Sequence, residues 1–191
     1  MTDRNTLVRS MHDLGAAAWF GGSLMGAVGL NGASQDAADP ADRARLAAAG
    51  WARWSPVGAA AIGAHLLGGL GLLAANWRRV GGQNGVAANT AVKATVTAAA
   101  VAATAYGGVL GARVAAAGRV ESEGGTQPSG DTPADVASAQ RRLRVVQWVI
   151  PALTGVVVLL GAQQGEQQRP AEIVKGVAAR LIRRRRAVPP G

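Results

Sequence analysis

The sequence is short of the residues on which most soluble folds and many catalytic or metal sites depend. It contains no cysteine, which excludes disulfides, thiolate metal sites and cysteine nucleophiles. Its two histidines are too few for the usual zinc sites of three or four His and Cys ligands. One Phe and one Tyr leave little material for a soluble core. Only 16% of the residues are charged, against roughly 25% in ordinary soluble domains. The composition therefore points away from a soluble domain.

Small apolar residues are what the chain has in abundance. Hydrophobic residues make up 49% of it, mostly Ala, Val and Leu, and they are accompanied by 27 glycines. In a membrane such small residues let helix backbones approach closely. Hydropathy predicts four spans, each close to the roughly 20 residues that cross a bilayer. They are 14–33, 57–76, 91–112 and 145–162. We expect the first to be retained, because its apolar run is longer than that of a secretory signal peptide.

The basic residues predict how these spans are oriented. Four spans place both termini and the second loop on one side of the membrane. That side carries nearly all of the net charge of +9, and basic loops stay in the cytoplasm. The sequence therefore predicts an all-α, integral membrane four-helix bundle in the cell membrane, with both termini cytoplasmic. Residues 1–168 form the predicted transmembrane domain, and residues 169–191 form a basic cytoplasmic tail.

The tail is expected to contain a cytoplasmic amphipathic helix over residues 170–186, because its apolar residues share one side and its basic residues crowd one end. Anionic lipids are the expected partner of that end, at about 1 kcal/mol per basic residue. The residues concerned are Arg183, Arg184, Arg185 and Arg186. Nucleic acid is disfavoured, because the tail has no aromatic side chain on which a base could stack. The other expected partner is a second copy of the chain or another membrane protein.

The outer connections are predicted to differ in order. Residues 40–52 are expected to form a short amphipathic helix on the outer surface. Residues 118–131, rich in Gly, Ser and charged side chains, are expected to be a disordered loop. Tryptophans near the ends of spans are expected to lie at the membrane interfaces. These are Trp51, Trp54, Trp77 and Trp148.

Small residues recur at every fourth position within the predicted spans and form smooth stripes along helix faces. Gly22 with Gly26, and Gly107 with Gly111, match the G-x-x-x-G spacing, and Gly68 extends a stripe on the second span. We interpret the stripes as tight packing inside the bundle. A specific dimer face is the alternative.

His65 is the residue that fits a lipid-embedded helix least well. It falls about 12 Å below the outer boundary of the second span, at about 1.5 Å per residue. An ionisable side chain at such depth is costly and is a functional candidate for ligand binding or proton handling. The structural alternative is a neutral imidazole that is hydrogen-bonded to Thr104 or Tyr106 on the third span.

His12 and Asp13 lie at the cytoplasmic end of the first span. Asp13 either complements the positive end of the helix dipole or joins His12 in a shallow proton- or metal-handling site. Lys93 or the arginines at 78–79 are possible neighbours. The histidines are expected to differ in depth by more than about 10 Å, which argues against a bis-histidine haem. Pairing with Met25 remains open, and we expect no cofactor.

The segment H-D-L-G-A-A-A-W-F-G-G, from His12 to Gly22, resembles the first helix of small bacterial membrane proteins related to the copper resistance D family. In those proteins the first span carries a histidine, small residues and then Trp-x-Gly-Gly. The resemblance covers 11 of 191 residues and implies an inner-membrane bundle tied to copper import, with His12 as the matched candidate ligand. This chain departs from a methionine-rich Cu(I) path, because it has three methionines and no cysteine.

No catalytic motif is present, because the sequence lacks G-x-S-x-G, Walker A and H-E-x-x-H, and we expect no enzyme. The leading hypothesis is a non-enzymatic accessory or scaffold subunit that packs in a membrane complex through its stripes and basic tail. The first alternative is a small transporter or copper-handling protein that uses His65, with His12 and Asp13 at its inner mouth. The second alternative is a redox or quinone-binding membrane subunit.

Overall fold

The fold is almost entirely helical in the computed structural model, which describes residues 6–82 and 84–167. Within these ranges a small hairpin and short connecting turns are the parts that are not helical, so the all-α prediction is confirmed. In chain order the elements are α1 (Thr6–Met25), a π-helical turn (Gly26–Leu30), α2 (Asn31–Gln35), α3 (Pro40–Gly82), α4 (Asn84–Ala116), β1 (Ser122–Gly124), β2 (Gln127–Pro128) and α5 (Ala134–Gln167).

Three helices of the described part are long and apolar enough to cross a membrane: Pro40–Ala75, Asn89–Ala116 and Ala134–Gln163. They correspond to the second, third and fourth predicted spans. The first predicted span is not among them. The helix α1, in which that span begins, starts at Thr6 and includes Arg9, His12 and Asp13, and α1 ends at Met25, so the rest of the predicted span lies in the π-helical turn and in α2.

The distribution of side chains between surface and interior is compatible with helices that cross a membrane. Large hydrophobic residues such as Leu14, Leu67 and Leu70 are at least 64% exposed. Among the described residues, nearly as many polar side chains as hydrophobic ones are buried. Hydrogen-bonded polar groups inside and aliphatic groups outside suit a solvent that cannot itself hydrogen-bond. The surface therefore agrees with the membrane interpretation of the three long helices.

The π-helical turn keeps the buried face of α1 and the buried face of α2 on the same side of the first helical segment. Gly26 and Asn31 are both buried although five positions separate them, and the Asn31 N–H donates to the Gly26 carbonyl. A regular α-helix would turn a residue five positions on towards another side. The wider turn thus places Asn31 and Ser34 on the same side as Trp19 and Ser23.

The first connection is shorter than the sequence indicated. Residues 40–52 were expected to form a separate surface helix, but they are the first turns of α3, which continues to Gly82 and contains Pro56. The expectation of a separate helix was wrong because polar residues such as Asp42 and Arg53 mark a change of environment rather than a break in the backbone. They interrupt the hydropathy and not the helix.

The third connection is ordered, so the expectation of a disordered loop over 118–131 was also wrong. β1 and β2 pair as an antiparallel hairpin. Gln140 of α5 donates to the hydroxyl of Ser122 and to the carbonyl of Gly124, each at 3.2 Å. A Cβ at Gly125 would lie 2.5 Å from the Cβ of Ala47, so the hairpin rests closely on α3.

An ion-pair group ties the start of this connection to the start of α3. Arg119 contacts the carboxylates of Asp39 and Asp42, and Asp42 also accepts from Arg45 at 2.9 Å. The attraction of Asp42, followed by the hydrogen bond to Asp39, raises the pKa of Arg119 above its usual value. All of these side chains are partly or fully exposed, so we expect the pairs to add little stability.

α5 packs on the other helices through side chains rather than through close backbone contact. One hydrophobic cluster joins Leu110 and Val114 of α4 to Leu143 of α5. A second joins Trp19, Ala100 and Ile150. Contacts divide the chain into two units, residues 1–158 and 159–191, and the described part of the second is the helical end of α5. The predicted tail helix and Arg183–Arg186 lie outside the described residues.

Candidate functional site

The candidate site lies where two antiparallel helices, α1 and α3, touch backbone to backbone. A Cβ at Gly15 would lie 2.5 Å from the carbonyl oxygen of Ala61 and 2.6 Å from the backbone nitrogen of His65. A Cβ at Gly68 would lie 2.6 Å from the backbone nitrogen of His12. A backbone atom cannot rotate away as a side chain can. Glycine is therefore what permits this separation of the two helices.

His12 and His65 exchange hydrogen bonds across this contact. The His12 Nδ1–H donates to the backbone carbonyl of His65 at 2.8 Å, and the His65 Nδ1–H donates to that of His12 at 2.9 Å. Each Nδ1 carries a proton, because a carbonyl oxygen only accepts. The rings stack with centroids 4.0 Å apart and planes 20° from parallel, and both side chains are buried.

The arrangement has an approximate local two-fold symmetry that the sequence also contains. His12 is followed three residues later by Gly15, and His65 is followed three residues later by Gly68. Each glycine lies against the backbone of the opposite histidine, and each imidazole bonds to the opposite histidine's carbonyl. Two copies of the spacing H-x-x-G on antiparallel helices thus generate a reciprocal pair. This repeat was the signal in the sequence that could have predicted the pairing.

Lys93 of α4 is the third member of the site. Its Nζ lies 2.8 Å from the Nε2 of His12. Because the His12 Nδ1 carries the proton of a neutral imidazole, its Nε2 has a lone pair that accepts from the Lys93 ammonium. The Lys93 side chain is partly buried. The cluster of His12, His65 and Lys93 therefore holds one positive charge and a continuous set of hydrogen bonds.

The face of α4 that carries Lys93 adds two polar groups, each one helical turn away. Asn89, Lys93 and Thr97 are spaced four residues apart and share this face. The Oδ1 of Asn89 is buried and has no hydrogen-bond partner among the described residues. It offers a hydrogen-bond acceptor at a position one helical turn before Lys93. Asp13 is exposed, and the side chains at 78–79 lie outside those the structure describes.

Trp19 closes the site on the side of His65. The indole and the His65 ring have centroids 6.3 Å apart at an interplanar angle of 59°. The Trp19 Nε1–H donates to the hydroxyl of Thr104 at 3.2 Å. The sequence proposed Thr104 or Tyr106 as a partner of His65, and this was wrong. Thr104 bonds Trp19, Tyr106 is 44% exposed, and the partner of His65 is the His12 carbonyl.

The expected difference in depth between the two histidines was wrong as well. The predicted spans were 14–33 and 57–76. If two such spans are antiparallel and end at the same membrane surfaces, residue 14 lies beside residue 76. In the structure α1 and α3 are shifted by about three turns from that register, and residue 12 faces residues 65 and 68. The shift follows from the glycine contacts, which fix which residues of the two helices meet, whereas hydropathy marks only where a span ends.

The predicted packing glycines separate into two kinds. A methyl group on Gly22 or Gly26 would overlap the indole of Trp54 or Trp51, and Gly68 touches the α1 backbone. A Cβ at Gly107 would lie 3.3 Å from the Val146 side chain of α5, a tight contact with a side chain rather than with backbone, and a Cβ at Gly111 would face open space. The stripes that contain Gly22, Gly26 and Gly68 are therefore used inside the chain.

Two tryptophans expected at the membrane interface instead lie between α1 and α3. Trp54 lies over Gly22 and Trp51 over Gly26, and the Trp51 Nε1–H donates to Asn31 at 3.2 Å. Trp148 is 53% exposed, and its place at a membrane interface stays a prediction, while the side chain of Trp77 lies outside those the structure describes. The same position was predicted for all of these tryptophans because the sequence does not show that Trp51 and Trp54 lie opposite the G-x-x-x-G stripe of α1, which is distant along the chain.

The donor atoms present do not suit a copper or haem ligand at His12. Both ring nitrogens are engaged, Nδ1 with the His65 carbonyl and Nε2 with Lys93. Within the described ranges, His, Asp and Glu side chains form no group of three or more that could hold a metal ion. The arrangement suits a neutral, hydrogen-bonded imidazole better than a metal ligand.

Comparison with known proteins found no match to a family model, to a curated protein or to a solved structure.

Proposed function

We propose that the protein is a small inner-membrane transporter whose four helices hold a proton-handling cluster of His12, His65 and Lys93. Both termini and the basic tail are cytoplasmic in this proposal, and 14–33 crosses the membrane together with the three long helices. The observation that carries the proposal is the hydrogen bond from the Lys93 ammonium to the buried His12 Nε2. Ionisable groups in such positions are expensive in lipid and commonly serve ion or proton pathways.

The geometry supports one simple step. The Lys93 Nζ–H bond breaks as the proton moves to the His12 Nε2, leaving a neutral amine and an imidazolium. The imidazolium keeps its Nδ1–H bond to the His65 carbonyl, so no other bond needs to change. The net charge of the cluster stays the same, which avoids creating a new charge in a medium of low dielectric constant. The buried Oδ1 of Asn89, one turn away, can then accept a hydrogen bond from the Lys93 side chain.

A purely structural role explains the pair less completely. The two bonds from Nδ1 to the opposite carbonyl would suffice to join α1 to α3. They require neither Lys93 nor the Nε2 of His12. Placing a lysine partly inside the bundle adds a desolvation cost without being needed for that join. The bond from Lys93 to His12 is therefore not needed to join the helices, and this favours proton handling.

The scaffold hypothesis takes second place for a specific reason. It depended on the small-residue stripes and on the basic tail, and of these the stripes containing Gly22, Gly26 and Gly68 pack inside the chain. Gly21 and Gly63 do face open space and could meet another helix. A partner that binds there would be compatible with the proton-handling cluster.

The proposal is tested by proton flux into proteoliposomes that contain purified full-length protein and an internal pH dye. A potassium gradient with valinomycin makes the interior negative. We expect acidification several-fold faster than in empty liposomes, and a return to the empty rate for Lys93→Met and His12→Asn. The His12→Asn variant keeps a side-chain N–H near the His65 carbonyl but loses the acceptor for Lys93.

The Lys93→Arg variant is the matched control for a structural cation. Arginine keeps the charge and can donate to His12, but it does not release its proton in proteins. Proton handling predicts that Lys93→Arg is folded and inactive. Flux equal to wild type in this variant, or wild-type flux no faster than in empty liposomes, would overturn the proposal.

A further inference from the structure

A second site lies beside α1, on the far side of Trp19 from the histidines. It is a cavity of about 480 Å³ lined by residues of α1, α2, α3, α4 and α5, with the hairpin at one end. Its volume falls within the range of pockets that hold small molecules, roughly 300–1,000 Å³. The indoles of Trp19, Trp51 and Trp54 form much of its wall, and glycines and alanines of α4 form the opposite wall. Nothing in the proton-handling proposal uses it.

The cavity is elongated. It is lined by Trp19 near one end and by Asn31 near the other, which are 12 positions apart and so about 18 Å at about 1.5 Å per residue. On α4 the lining runs from Thr104 to Ala115, a similar length. Such a shape suits a single extended chain better than a compact ring system.

The cavity opens towards the outside of the bundle between α3 and α4. The exposed residues among its lining are small there, including Ala52, Ser55 and Ala59 of α3 and Gly108 and Ala112 of α4. Since these two helices contain candidate membrane spans, the opening faces the region that lipid would occupy. A ligand can therefore enter from the membrane without crossing water.

The lining sets the charge of the ligand and the position of its polar end. No Lys, Arg, Asp, Glu or His of the described chain lines the cavity. Neutral polar groups gather at the α2 end, where the Asn31 amide donates to Gln147 and accepts from Trp51. Each of these bonds uses one amide oxygen, whereas no hydrogen bond to a described residue engages the Gln147 amide N–H groups, which leaves them as donors for a ligand. This end fits an uncharged oxygen that accepts hydrogen bonds.

We propose that this cavity binds a neutral lipid with one extended apolar chain, with its hydroxyl or carbonyl oxygen against Asn31 and Gln147 and its chain along Trp51, Trp54 and Trp19. The indoles give the chain a large apolar contact area. The missing side chains at Gly108 and Gly111 leave the width for it, since a Cβ at either glycine meets nothing within 4 Å.

The test uses all-trans-retinol as the probe and retinoate as its charged counterpart with the same chain. Purified full-length protein in nanodiscs is titrated while energy transfer from tryptophan is recorded, three of the five tryptophans being in the cavity wall. We expect saturable transfer with retinol. With retinoate we expect affinity at least tenfold lower, because none of the described residues that line the cavity is a cation that could pair with its carboxylate.

The matched variants are Gly111→Leu and Gly63→Leu. Both glycines lie in helices and both face open space, but only Gly111 lines the cavity. Leucine favours a helix more than glycine does, so neither change should unfold the protein. We expect Gly111→Leu to abolish saturable retinol transfer and Gly63→Leu to leave it unchanged. Gln147→Leu should weaken retinol binding about three- to tenfold by removing one hydrogen bond.

Equal transfer to retinol and retinoate, or unchanged retinol binding in Gly111→Leu, would overturn the proposal. Proton flux measured on the same Gly111→Leu protein separates this result from the proton-handling proposal, since the substitution lies away from His12 and Lys93.

Discussion

The two ends of the α1–α3 pair are joined by contacts of different kinds. At the end with the histidines, Gly15 and Gly68 bring backbone against backbone. At the other end, the indoles of Trp51 and Trp54 cover Gly26 and Gly22. A backbone contact fixes one separation, whereas an indole can rotate to accommodate a change. The rigid end holds the hydrogen-bonded side chains of His12, His65 and Lys93, and the adaptable end forms part of the wall of the cavity.

The largest expected effect is at the rigid end. Gly68→Ala places a methyl group against the backbone of His12 and Val8, and overpacking of this kind costs about 1–3 kcal/mol, with this site expected near 3 kcal/mol. Unfolding of the purified protein in mixed detergent and SDS micelles measures the loss. Gly63→Ala is the control, since its Cβ would face open space, and it should be neutral or slightly stabilising. Equal stability of the two variants would mean that the helices separate more easily than their contacts indicate.

An intermediate effect is expected where the rigid end depends on side chains. His65→Ala removes the donor to the His12 carbonyl and the stacked ring, which we expect to cost about 2 kcal/mol. His65→Asn keeps an N–H near the position of Nδ1 and should recover about half of that loss. The same SDS titration applies. If asparagine and alanine are equally destabilising, the hydrogen bond from Nδ1 does not contribute to the join.

The smallest effect is expected at the adaptable end. Gly22→Ala overlaps only the Trp54 indole, which can turn aside, and should cost about 1 kcal/mol. Combining it with Trp54→Leu should cost less than the sum of the two single changes, because the smaller side chain leaves room for the methyl group. A double-mutant cycle in the SDS assay measures this coupling. Additive losses would show that Trp54 and Gly22 do not interact, and the contrast between the two ends would then be lost.

Hydropathy placed three of the four predicted spans within the long helices, and it did so because apolar length is a local property of the sequence. The register of α1 against α3 was not found, since hydropathy gives the ends of a span to no better than several residues. The H-x-x-G repeat at His12 and His65 would predict that register, but only once the two helices are known to pack against each other in antiparallel orientation.

The rest of the site and the cavity depend on contacts between distant segments. Lys93 was recognised as a possible neighbour of His12, but the stacking of the two histidines and the position of Asn89 were not. The order of the hairpin arises from Gln140, which lies on α5 and gives no local signal within residues 118–131. The cavity is a space between helices, and no single segment describes it.

The approximate two-fold relation between the H-x-x-G segments determines whether the two sides of the histidine pair are equivalent. Two related halves on antiparallel helices would, by themselves, present the same chemistry to both faces of a membrane. Lys93 bonds to His12 and has no counterpart at His65 among the described residues. The Lys93 ammonium on a third helix therefore makes the two histidines chemically different, so that a proton would meet a different group from each side of the pair.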